Sequence, residues 1–534
     1  MKLKGLKNRD YNVMFHVHTV SGIVISFALF IIFYAGAFSL FRDEIVQWEN
    51  KDLRYPLTEE INIANAIEKV DEAYNLHYYE IANIILPSEH APVYSIYASH
   101  VENDTTNTRM AAYYHESLNK IQDLKAPPTT VGETLYRLHF FDQIPNVGKY
   151  ISGLVALFFL FATISGIIIH WQNMFTKFYA IVFEGKWKNI WTNMHTVLGL
   201  IGIPFQLIYA VTGAFFGLLT FILIPTVLLK YDGDQNKVLQ KIRPYDRIEV
   251  KEDASLASNN IPIDEIYKNI KRAYPNHEVQ TVRMRNYKKE DGFAIWHLAS
   301  EESILSNGAV VTFLKDGVIN QEYSVFPHNK GYSLAVLDYI SKLHFGNFGG
   351  HTMRVIYFVL AMLTCIMILS GVMIWRKARD NKRYSEKQRS FHHKVTKSYL
   401  SICLSLFPAT ALLFIFNKIV PLDLQDRTLY VNLLFFGLWV LMSVSGYFIE
   451  KYSTLNKVFL ISGGVIAILI PFVNGIVTGD WFWNTLFTYS NVAIVDIFWL
   501  FTGISGLLFS KFNINQSPKD SNHKKFEKEL ATTY

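Results

Sequence analysis

The chain has 534 residues, 50% of them apolar and 15% aromatic, with a formal net charge of +6. The apolar residues gather in runs of about 20, the length a helix needs to cross roughly 30 Å of hydrocarbon, which excludes an ordinary soluble globule and makes the class a polytopic membrane protein. The two cysteines, Cys365 and Cys403, sit inside apolar runs and form neither CxxC nor CxxCH, so disulfide frameworks, thiolate zinc sites and iron–sulfur clusters have no support, and the positive charge needs no nucleic acid because it concentrates beside the spans.

The N-terminus, MKLKGLKNRDYN, is basic and leads into an apolar run. That run is too long for a cleaved leader, and Arg42-Asp43-Glu44 follows it in place of small residues, so it reads as an uncleaved first span. Eight spans are expected, at about 20–41, 148–170, 196–229, 353–375, 398–417, 429–449, 457–475 and 491–510. The third run exceeds one crossing, and Pro204 and Pro225 are expected to kink or end it. The chain therefore divides into 1–41 (N-terminus and first span), 42–147 (first outer segment), 148–229 (spans two and three), 230–352 (second outer segment), 353–375 (span four), 376–397 (basic loop), 398–510 (spans five to eight) and 511–534 (tail).

Lysine and arginine in short loops set orientation. Residues 376–397 hold nine Lys/Arg against two Asp/Glu, and the N-terminus, the 171–194 loop and the tail are basic too. With eight spans all four fall on one side, which places both termini in the cytoplasm. The two long segments then lie outside. Residues 42–137 carry sixteen Asp/Glu against eight Lys/Arg. A helical pattern over 58–74, with a partial capping box at Thr58, precedes strand-like YEIANIIL, PVYSIYAS and RMAAYYHES. The second segment repeats the order, with PIDEIYKNIKRAY as helix and VQTVRMR, GFAIWHLAS and AVVTFLK as strands. The fold class is an all-α membrane bundle carrying two small α+β domains.

The spans repeat as well. His18 opens HTVSGIVISFALFIIFYAGAF and His195 opens HTVLGLIGIPFQLIYAVTGAF, with Gly22 and Gly199 four residues on and Gly36 and Gly213 eighteen residues on. Leu138-His139-Phe140 precedes span two, and Leu343-His344-Phe345 precedes span four. Ser165-Gly166 and Ser370-Gly371 lie at one common distance beyond those histidines. Parallel repeats of this kind are related by an axis along the membrane normal. Spans five to eight lack the unit.

Ionisable groups at membrane depth point to function. A single histidine at a helix end is ordinarily an interfacial residue, but the same register at both ends of two repeats suits haem ligation, in which two imidazoles from different helices flank one macrocycle. His18 and His195 form such a pair on the inner side, and His139 and His344 on the outer side. Gly22 and Gly199 would leave room for the ring. Zinc is the weaker reading, since there is no HExxH and no carboxylate cluster. His170 aligns with Trp375 and His351 with Asn146, so these two break the symmetry and stand as alternative ligands, as lining of a substrate site, or as interfacial residues.

With HTVSG and HTVLG opening spans, YAGAF and YAVTGAF closing them, LHF before the alternate spans, and ISGIII and LSGVMIW at their ends, residues 10–380 resemble the PepSY-associated transmembrane helix family, which includes bacterial iron-regulated membrane proteins and ferric-siderophore reductases. The resemblance implies PepSY-like outer domains, two b-type haems, and one-electron transfer to ferric iron held by a siderophore or another chelate outside the bacterial inner membrane. Electrons would come from quinol or a cytoplasmic donor, and with no dinucleotide fingerprint present NAD(P)H and flavin would have to act through a partner. Two other readings compete: an iron or siderophore permease component, and a PepSY-type regulatory or binding protein anchored by its spans. The expected contacts include membrane lipid and no nucleic acid.

Overall fold

Apolar runs without a polar stripe satisfy their backbone in hydrocarbon only as helix. The structure, a computed structural model, describes residues 7–54, 60–77, 82–88, 91–102, 106–123, 130–174, 176, 187–251, 253–300, 307–328, 331–422 and 424–511. The expected helix start at Thr58, the first residues of YEIANIIL, most of the 171–194 loop before Trp187 and the tail beyond 511 lie outside them.

Among the described residues eight helical stretches are long and apolar enough to cross a membrane, so this is a multi-pass membrane protein. In chain order the helices are α1 (Asn8–Ser39), α2 (Arg42–Glu49), α3 (Ile63–Tyr74), α4 (Val131–His139), α5 (Gly148–His170), α6 (Trp187–Ile201), α7 (Ile203–Lys230), α8 (Gln235–Ile242), α9 (Ile263–Ala273), α10 (Tyr332–Phe345), α11 (Gly350–Arg379), α12 (Glu386–Ile419), α13 (Arg427–Phe448), α14 (Tyr452–Thr478), α15 (Phe482–Thr488) and α16 (Ser490–Phe509). The spanning helices are α1, α5, α7 and α11 to α14, with α16.

Two refinements concern the histidine-bearing spans. Helix α1 begins at Asn8, so His18 lies about three turns inside the helix and not at its start. The third run breaks at Gly202, between α6 and α7, with Pro204 in the first turn of α7, where its missing N–H costs nothing. Pro225 stays inside α7 and does not end it.

The chain forms two compact units. The helical unit takes residues 1–45, 130–219 and 354–534. Small residues set its closest approaches: a Cβ on Gly153 of α5 would lie 2.8 Å from the Gly217 Cα of α7. The loop between α4 and α5 folds so tightly that a Cβ on Gly148 would lie 1.8 Å from the Phe141 carbonyl oxygen, which only glycine allows.

The second unit takes residues 46–129 and 220–353. Its strands are β1 (Leu76–His77), β2 (Ala82–Ile85), β3 (Tyr94–Glu102), β4 (Thr106–His115), β5 (Lys120–Asp123), β6 (Glu278–Arg285), β7 (Phe293–Ala299), β8 (Gly308–Phe313) and β9 (Ile319–Val325). The two long segments between spans, read from the sequence as separate α+β domains, join in one antiparallel nine-stranded sheet of order β5-β4-β3-β2-β6-β7-β8-β9, with β1 also on β3. The seam is β2 against β6, with Ala82 opposite Met284 and Ile85 opposite Thr281. Separate small domains would each leave an unpaired edge here, and pairing the two edges removes both. Ile63, Ile67 and Val70 of α3 and Ile263, Ile266 and Ile270 of α9 share one core with Ile84, Ile96, Val282 and Trp296. Asp264 of α9 reaches across to accept from the Ile63 and Ala64 N–H groups at 2.6 and 3.3 Å, so the second half helps to cap the helix of the first.

Burial, with Arg283 and Arg243 nearby, pulls the His297 imidazole down to about 4. The folded ring is therefore neutral through a range in which the unfolded chain takes up a proton. Stability supplied by the neutral ring is present above pH 6.5 and is lost as the pH falls from there towards 4. Thermal unfolding of this unit should lose about 2 kcal/mol between pH 7 and pH 5 from this group, and His297→Gln should flatten that slope.

Candidate functional site

His18 and His195 come together in the helical unit. Their ring centroids are 6.0 Å apart with 71° between the planes, and both side chains are half-buried. Each ring is anchored from behind. His18 Nδ1 donates to the Ala162 carbonyl oxygen on α5 at 2.8 Å, and His195 Nδ1 donates to the Met367 carbonyl oxygen on α11 at 2.9 Å. A carbonyl oxygen can only accept, so Nδ1 carries the proton and Nε2 keeps its lone pair. Metal-binding histidines adopt this tautomer when Nε2 is the ligating nitrogen.

The anchors repeat as the spans do. Ala162 lies three residues before Ser165-Gly166, and Met367 three before Ser370-Gly371. A Cβ on Gly166 would come within 3.2 Å of His18 Cε1, and one on Gly371 within 2.9 Å of His195 Cε1. The Ser-Gly pairs are therefore seats for the imidazoles, with the glycine under the ring and the preceding turn supplying the acceptor. The sequence marks them only as equally spaced repeat features. Their function follows from which helix packs on which.

Gly22 and Gly199 behave differently. A Cβ at either position would meet no atom within 4 Å, so both border open space one turn from their histidines. A Cβ on Gly213, the counterpart of Gly36, would lie 3.2 Å from Ala156 Cβ.

His139 has a seat of the same kind. Its Nδ1 donates to the Ile32 carbonyl oxygen of α1 at 2.8 Å, and a Cβ on Gly36 would lie 2.5 Å from that nitrogen. Ile32 and Gly36 are fourteen and eighteen residues beyond His18, or about 21–27 Å along the helix. The two seats thus lie at opposite ends of α1. Between them α1, α5, α7 and α11 each contribute aromatic side chains: Phe33 meets Phe159 at 5.4 Å and Phe205 at 6.0 Å, and Tyr357 meets Phe205 at 5.3 Å and Tyr209 at 5.6 Å.

The remaining candidates are more dispersed. His344 is half-buried on α10 with its ring 5.5 Å from Phe345, and His351 is exposed at the start of α11; both belong to the sheet-bearing unit, whereas His139 belongs to the helical one. His170 ends α5, half-buried. Its repeat counterpart Trp375 lies under the Arg379 guanidinium at 4.5 Å and meets the His392 ring at 5.2 Å. Among the described residues no three His, Cys, Asp or Glu side chains gather as a metal-binding group. His18 and His195 are instead two backbone-anchored imidazoles in edge-on ring contact.

Residues 15–378 match the family described as PepSY-associated TM region. No curated protein matches the chain.

Proposed function

The chain belongs to the family of the PepSY-associated TM region, and from that premise we propose that it is a haem b-dependent oxidoreductase that moves electrons across the bacterial inner membrane to ferric iron held by a siderophore or similar chelate. The observation that carries this reading is the facing pair His18 and His195. Two imidazoles from different helices, each with Nδ1 anchored and Nε2 free to bond iron, would hold a haem between them. The observed separation is 6.0 Å.

Haem bound at this pair supplies reversible one-electron chemistry. The protein's own residues do the rest. The Ala162 and Met367 carbonyls fix the tautomer and aim of the rings. The space beside Gly22 and Gly199 is where a flat macrocycle would find room. His139, seated at the other end of α1, is assigned to a second haem with His344 as its repeat-related partner and His351 as the alternative ligand there, while His170 is the alternative ligand on the His18–His195 side. The aromatic side chains between the two seats offer electrons a dense route. Both termini are assigned to the cytoplasm from the basic loops, and quinol or a cytoplasmic carrier is the electron source.

A reduced-minus-oxidised absorption spectrum of the purified protein tests this. About two haems per chain, with split α and Soret bands, is the expected result. A haem-free protein that still reduces ferric chelate at the normal rate would overturn it.

A further inference from the structure

The basic loop between α11 and α12 holds charge that the electron path does not use. Residues 376–397 carry nine Lys/Arg and two Asp/Glu. Both carboxylates are already engaged: Asp380 by Arg376 at 3.4 Å and Lys377 at 3.6 Å, and Glu386 by Arg389 at 3.9 Å. Arg379 and Arg383 have no carboxylate partner among the described residues. Each is held instead on an aromatic ring. The Arg379 guanidinium lies 4.5 Å from the Trp375 ring and donates to the Trp375 carbonyl oxygen at 3.4 Å. The Arg383 guanidinium lies 5.0 Å from the Tyr384 ring and donates to the Tyr384 hydroxyl oxygen at 3.4 Å. The His392 ring of α12 joins the two platforms, edge-on to Trp375 at 5.2 Å and to Tyr384 at 5.6 Å. The two guanidiniums are near enough for their charges to repel.

We propose that Arg379 and Arg383 form a binding site for the phosphodiester of an anionic phospholipid in the adjoining leaflet. The site goes beyond the electron-transfer reading and does not depend on it. Charge comes first. Two guanidiniums held near each other without a counter-ion repel, and a bound anion turns that cost into attraction. A guanidinium also offers paired N–H donors to phosphate oxygens, and stacking on a ring fixes it beforehand, so little freedom is lost on binding. Position comes second. Arg379 ends the spanning helix α11, and Trp375 lies one turn inside it, where tryptophans commonly meet lipid headgroups. Beside His392, Phe391 is 62% exposed, and Val395, one turn further along α12, is 37% exposed. They offer apolar surface to acyl chains, for which a free phosphate has no use. The headgroup comes third. A zwitterionic headgroup would bring an ammonium into a field of lysines and arginines, whereas a phosphodiester without one is drawn to it.

The test is titration of the full-length protein, stripped of co-purified lipid in detergent, with dioctanoyl phosphatidylglycerol, counting bound lipid by native mass spectrometry. Dioctanoyl phosphatidylcholine, which differs only in its headgroup, is the comparison. One phosphatidylglycerol per chain should saturate at concentrations where phosphatidylcholine binds at least tenfold less. Arg379→Gln and Arg383→Gln should each weaken that first site about fivefold, or about 1 kcal/mol. Both side chains reach solvent, so the variants should fold, and an unchanged thermal midpoint checks this. Lys387→Gln, exposed in the first turn of α12, removes the same charge away from the two rings and should change binding less than twofold. An equal loss in Lys387→Gln would mean a diffuse basic surface and would sink the proposal, as would equal binding of the two lipids. Displacement of the lipid by inorganic phosphate at the same concentration would mean a small-anion site and would overturn the phospholipid assignment.

Discussion

His195→Ala is expected to remove about half of the haem from the purified protein, leaving the spectrum of a single remaining centre. The ring centroids of His195 and His18 are 6.0 Å apart. His18→Ala should give the same half-loss, and His139→Ala the complementary one. The seat makes a stricter test. Gly371→Val keeps His195 but puts a Cβ 2.9 Å from its ring, so it should displace the imidazole and lose the same haem. Gly199→Leu probes the open space instead. The protein by itself has room for that side chain, with nothing within 4 Å of the new Cβ, so folding should survive while the haem beside it is lost. Full haem content in Gly199→Leu would show that the macrocycle does not lie there.

Arg354→Met is expected to destabilise the helical unit by about 3 kcal/mol, because it removes a guanidinium held against a buried carboxylate. Arg354 holds Glu44 through both oxygens, at 3.2 and 3.4 Å, and donates to the Leu40 carbonyl oxygen at 3.2 Å. Glu44 lies just beyond α1 in the first repeat and Arg354 opens the membrane part of α11 in the second, so the pair fastens one repeat to the other. Thermal unfolding in detergent measures the loss. The double variant Glu44→Gln, Arg354→Met should recover much of it, since no lone charge then remains. A loss under 1 kcal/mol in the single variant would mean that water already reaches the pair.

The spans were legible because hydrocarbon allows only one backbone solution for a long apolar run. All eight spans are found, with shifted ends where a span continues as polar helix beyond the membrane, as α1 does before residue 20. The His18–His195 pair was legible too, because a duplicated sequence places equivalent residues at equivalent depths. Strand patterns were readable segment by segment for the same reason, since period-two alternation is local.

What only the tertiary structure decided is which surfaces meet. Nothing in the pattern of β2 or β6 says that they pair with each other and not with partners in their own half, because edge strands of similar composition are interchangeable until they dock. The glycines show the same limit. Four-residue spacing singled out Gly22 and Gly199, but the histidine rings rest on Gly166, Gly371 and Gly36, each on a different helix from the ring it carries. Spacing along one helix reports neighbours on that helix alone. A seat made by two helices exists only once they have packed.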